Sequence, residues 1–146
     1  MSLADEIKQD PLGLGYAAHL PGDPQRVVDL MNEPVFSMPT TISAGQALMW
    51  AATGPMATIT DASNNLNSPA RASCMAFLLA MNAGRDVYIG AANVRGLLDA
   101  WVRDEIITQQ AHDDLIALAT KPASRTEVLG LLAPTARDVV EAWSNA

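Results

Sequence analysis

Cysteine occurs once in this chain, at Cys74. A single thiol closes no disulfide within the chain, and a cysteine-based zinc site is excluded as well. Its neighbours in RASCMAFLLAM are apolar, so it reads as a small buried residue rather than a nucleophile. Basic residues are also few. Lys plus Arg number 9 against 16 Asp plus Glu, a formal charge of −7, and the basic ones are scattered. A protein that grips nucleic acid by its phosphates needs a basic face, so no nucleic-acid partner is expected. Aromatic residues make up 5 % of the chain, which leaves the core to Ala, Leu, Val, Ile and Met. The longest apolar run, CMAFLLAM, falls well short of the ~20 residues that span a bilayer. The opening MSLADEIKQD is acidic and lacks an apolar centre, so it reads as neither a signal nor a transit peptide. No membrane partner is expected, and synthesis in a cytoplasm is.

What is present is a 49 % hydrophobic chain of 146 residues. That suits one folded domain over 1–146 with one core. Helix signals recur along it. Ser2 caps a first helix with Glu6 and Lys8 in solvent, and Asp10-Pro11 ends it. Asp23 with Pro24 opens a second helix whose Val27, Leu30 and Met31 share a face. Ser43 to Gln46 is a capping box, and Gly54-Pro55 stops the helix it opens. Residues 56–66 form a weak helix. Ser68-Pro69 starts the helix that is apolar from Ala72 to Met81, which reads as the buried central one, with Leu79 inside. DVYIG and EPVFSMPTT read as connectors. Asn93 caps a helix with Leu97 and Trp101 on one face, and Thr108 caps the next. Ser124-x-x-Glu127 is a second capping box closed by Gly130. Thr135 caps the last helix, with Ala136, Val139, Val140 and Trp143 as its stripe. The expected fold is all-α, an irregular compact bundle of about seven short helices joined by Pro/Gly turns. Residues 1–22 stand as an N-terminal helix and turn ahead of a core at 23–146.

Few constellations suggest chemistry. Gly13-x-Gly15 lacks the preceding strand and the third glycine of a dinucleotide fingerprint, since Ala18 stands there. His112-Asp113-Asp114 are adjacent and point different ways on a helix, which reads as a solvated polar face rather than a metal site. His19 lies alone in a loop. Residues 124–143 have the helix, glycine turn, helix outline of a DNA-binding motif. Their last helix offers Arg137 against Asp138 and Glu141, a poor surface for phosphate. A helix-turn-helix-like regulator is the alternative function. No catalytic residue, cofactor or metal ligand is expected.

The most conspicuous stretch is DPLGLGYAAHLPGDP, residues 10–24. It sets Leu12, Leu14 and Tyr16 on a Gly/Pro frame. These side chains either dock onto a neighbouring subunit, the glycines allowing close backbone approach, or cover the chain's own core.

Two patterns carry a family resemblance. One is a short helix followed by Asp10-Pro11-Leu12-Gly13-x-Gly15-Tyr16-Ala17, then Val27 and Leu30-x-Asn32. The other is Ile107-Thr108, Leu115, Leu118-Ala119, Ser124-Arg125, Leu129-Gly130, Thr135 and Asp138-Val139. Together they resemble a family of small virion proteins of tailed bacteriophages. The likeness covers about half of the chain and leaves residues 36–95 unaligned. It implies a non-enzymatic structural part of a virion, tail- or neck-associated. Its partners would be other virion proteins in a symmetric ring, and Leu12, Leu14 and Tyr16 its docking contacts.

Overall fold

The computed structural model describes residues 1–145. Among them the chain is mainly helical, with nine α-helices and four short strands. The helices are α1 (Leu3–Gln9), α2 (Pro24–Asn32), α3 (Ala44–Ala52), α4 (Pro55–Asn64), α5 (Arg71–Asn82), α6 (Ala92–Arg103), α7 (Gln109–Leu118), α8 (Arg125–Leu129) and α9 (Ala136–Ser144). The strands are β1 (Phe36–Pro39), β2 (Thr41–Ile42), β3 (Val87–Tyr88) and β4 (Thr120–Ala123).

Local chemistry sets most boundaries. Ser2, Ser43, Ser124 and Thr135 each accept from the backbone N–H three residues on, and the Asp, Gln or Glu there accepts in return. Each box satisfies two donors that a helix start leaves unpaired. Two starts differ from expectation. α5 begins at Arg71, and Ser68 Oγ accepts from Ala70 N one turn earlier. α6 begins at Ala92 with no side-chain cap, so Asn93 lies within the helix instead of capping it.

The strands correct the all-α expectation. DVYIG is not a plain connector: β3 pairs antiparallel with β2, Thr41 opposite Tyr88 and Ile42 opposite Val87. Each partner is two residues long and distant in sequence, so neither shows as a strand by local pattern.

The chain forms two compact units, the first from residues 1–38 and 122–145, the second from 39–121. In the first, residues 1–22 are part of the core and do not stand ahead of it. Ile7 and Tyr16 share a buried cluster with Val27, Val28, Met31 and Val139, and α9 packs on α1 and α2. Val139 carries the α9 stripe, while Val140 is exposed.

The second unit packs α3 to α7 around Ile42, Trp50, Ile59, Cys74, Leu98, Trp101 and Leu115. Trp50 Nε1 donates to Ala111 O at 2.8 Å, which ties α3 to α7. Cys74 is buried as expected, and burial pushes its thiol pKa up. The burial expected of α5 is overturned. Only Cys74 and Met81 are buried on it, and Leu79 is 66 % exposed. The helix packs on α3 and α4 along one side, and its other apolar side faces outward. On α6 the buried pair is Leu98 with Trp101, and Leu97 is exposed. Among the described residues no helix is long and apolar enough to cross a membrane.

Candidate functional site

The turn after α1 is built by Asp10. Its backbone adopts the left-handed conformation at φ 38°, and its carboxylate accepts from Leu14 N at 2.7 Å and Gly15 N at 2.8 Å. Gly13 and Gly15 have φ of 65° and 83°, a region that glycine enters without steric cost. This geometry turns the 3-10 segment Tyr16–His19 back toward α1.

The three expected docking residues therefore separate. Leu12 is 49 % exposed, and Leu14 is half-buried against the first unit's own cluster. Tyr16 is fully buried and has no surface to offer a partner, which corrects its reading as a docking contact. For Tyr16 the turn covers its own core.

Tyr16 leads to a group that local pattern hides. Glu6, expected in solvent, is completely buried. Arg125 reaches it from α8 with Nε 2.7 Å from Oε1 and Nη2 2.9 Å from Oε2, a two-point clamp. Tyr16 Oη donates to Oε1 at 3.2 Å. Charge-assisted paired bonds of this kind are short and directional. Beside them Thr126 Oγ1 is 3.0 Å from Met31 O and 3.2 Å from Asn32 Oδ1. The Glu6 carboxylate and the Arg125 guanidinium meet inside the unit, and with Thr126 they tie α1, α2 and α8 together.

Burial raises the Tyr16 phenol pKa above its ordinary 10, and the Glu6 charge raises it further. The unfolded chain then loses this proton first as pH rises. The Tyr16 contribution to stability is intact below pH 10 and is expected to fall by about 1.4 kcal/mol per pH unit above it, until Tyr16 ionises in the fold. Denaturant melts of a Tyr88→Phe, Cys74→Ala chain between pH 9 and 11, with tyrosinate absorbance, measure this without the buried thiol's own titration. A flat stability profile would remove Tyr16 from the buried cluster.

The other candidates resolve as follows. Gly13-x-Gly15 follows a helix and precedes a 3-10 turn, so it is no phosphate-binding strand-to-helix loop. Of the basic residues at 124–143, Arg125 is turned inward and Arg137 pairs with Glu141 at 2.8 Å. Arg137 stays exposed on the surface, beside the carboxylates of Asp138 and Glu141. His112 is less exposed than a solvated face implies. Its ring is 16 % exposed, with Nε2 3.4 Å from Asp99 Oδ1 and Nδ1 3.0 Å from Asp113 Oδ1. That contact holds the Asp113 carboxyl below the ordinary carboxylate range, with Gln109 assisting. Among the described residues no group of three or more His, Cys, Asp or Glu is arranged to hold a metal ion.

Compared with protein-family models, curated proteins and solved structures, the chain matches none.

Glu6 and Arg125 are the residues that sequence reading missed as a pair. The available signal was weak: Glu6 follows Leu3 by three residues, a spacing that places it beside the apolar Leu3–Ile7 face of α1.

Proposed function

We propose that the chain is a non-enzymatic structural component of a tailed-bacteriophage virion, tail- or neck-associated, that binds neighbouring virion proteins. The observation that supports this reading is where the first family-like pattern meets the later part of the second. Asp10 to Ala17, Val27, Leu30 and Asn32 lie in the same unit as Ser124, Arg125, Leu129, Gly130, Thr135, Asp138 and Val139, while Ile107, Thr108, Leu115, Leu118 and Ala119 lie in the other unit. Several of these residues hold that unit together: Asp10 shapes the turn, Arg125 clamps Glu6, and Ser124 and Thr135 cap helices. A pattern built on such residues specifies a scaffold. The same unit leaves Leu12 at 49 % and Leu132 at 94 % exposure, apolar side chains suited to contact with a partner.

In this reading Leu12 and Leu132 face the neighbours, and Leu14 and Tyr16 support them from beneath. The chain should be found by mass spectrometry in purified particles of the phage that encodes it. Leu12→Asp with Leu132→Asp should leave helicity and melting within a few degrees of the parent, because both sites are exposed. Particles made with the double variant should lose the chain, since a carboxylate buried in an apolar contact without a partner is costly. Absence of the parent chain from particles overturns the reading. Normal incorporation of the double variant moves the contact surface elsewhere.

A further inference from the structure

The second unit contains a pocket of about 150 Å³ whose wall is almost wholly apolar. Ile42, Phe77, Leu98, Trp101 and Leu115 form its depth, and the exposed residues Ala76 and Leu97 mark the side open to solvent. No charged side chain lines it. The two polar groups at its edge are already engaged: Trp101 Nε1 donates to Ser73 Oγ at 2.8 Å, and Ser73 Oγ donates to Ala70 O at 3.0 Å.

The pocket is partly open, so water reaches its apolar wall, and a guest that covers the wall removes that surface from water. Ordered water gains little in its depth, because the wall offers it no free polar partner. Apolar cavities of this volume accept molecules the size of benzene. The aromatic rings favour such an occupant further. Phe77 stands edge-on to Trp101 at 5.7 Å and to Trp50 at 6.3 Å. An aromatic guest beside Phe77 and Trp101 would extend this edge-to-face packing.

We propose that this pocket is a binding site for a small uncharged apolar molecule of about one aromatic ring. Recognition is by shape and ring contact, and an anionic or strongly hydrated ligand is rejected because nothing in the wall would replace its water.

Toluene and indole are the probes, titrated into the full chain by calorimetry and by amide chemical shifts. The expected result is saturable one-to-one binding, with shifts concentrated on α5 and α6 and a melting temperature that rises with ligand concentration. Val94→Phe fills the pocket from its wall and should weaken binding at least tenfold. Ala76→Leu narrows the exposed side, is tolerated by the fold, and should weaken binding even if Val94→Phe does not fold. No saturable binding of either probe up to millimolar concentration overturns the proposal. So does binding unchanged by Ala76→Leu, which places the probe elsewhere. Self-association that Ala76→Leu abolishes, without probe binding, would assign the pocket to a second copy of the chain and overturn it equally.

Discussion

Arg125→Ala should cost the first unit about 3–5 kcal/mol, because it leaves the Glu6 carboxylate buried without its counter-charge. Glu6 has no exposed surface, so water cannot take over the two bonds that Arg125 makes at 2.7 and 2.9 Å. Against a typical total stability of about 5–15 kcal/mol the loss is large. Denaturant melting should show a transition at much lower midpoint when followed through Trp143 on α9. Replacing both partners, Glu6→Leu with Arg125→Met, removes the buried charges together and should recover most of the loss, since apolar replacements of buried ion pairs are often neutral or better. If Arg125→Ala melts within about 1 kcal/mol of the parent, the carboxylate is reached by solvent and the clamp does not hold the unit.

Trp101→Ala should be the most damaging single truncation in the second unit, at about 3–5 kcal/mol, as for other large aromatic residues in cores. The ring is 4 % exposed, packs edge-on against Phe77 and bonds Ser73. Leu79→Ala on α5 is the matched contrast. Its side chain is 66 % exposed, so the same kind of truncation should cost under about 1 kcal/mol. Urea melts of the two variants, read as a difference, test both placements at once. Equal losses would mean that the outer face of α5 is covered in solution.

Most helix starts were legible from sequence because they depend on neighbouring residues. The boxes at Ser43 and Ser124 and the caps at Ser2 and Thr135 are local hydrogen-bond closures that three residues of context specify, while α5 and α6 start without the expected caps. The β2–β3 pair was not legible. Its meaning arises only when Ile42 meets Val87, far along the chain. Which side of α5 is covered could not be read either, because between Ala72 and Met81 the one polar residue, Ser73, turns inward to Ala70 and Trp101 and leaves no polar marker on the outer face. The candidate site shows the same division. The turn at 10–16 was visible from its glycines and prolines. The inward course of Tyr16 was not, because it rests on a carboxylate and a guanidinium 119 residues apart. A buried charge looks like a surface charge until its partner is known.

The separation of Glu6 and Arg125 also bears on how the chain is made. A ribosome delivers residues in order, at about 5–20 per second in the general case. Residues 39–121 are contiguous, so the second unit has all its material before Arg125 has been added. The first unit must wait with α1 and α2 already synthesised, their apolar faces uncovered until α8 and α9 arrive. During that interval those two helices are the part of the nascent chain most open to chaperones and proteases. A stop codon introduced just after residue 121 would leave the second unit its full sequence while depriving Ile7, Tyr16 and Met31 of Val139, and would strand Glu6 without a cation.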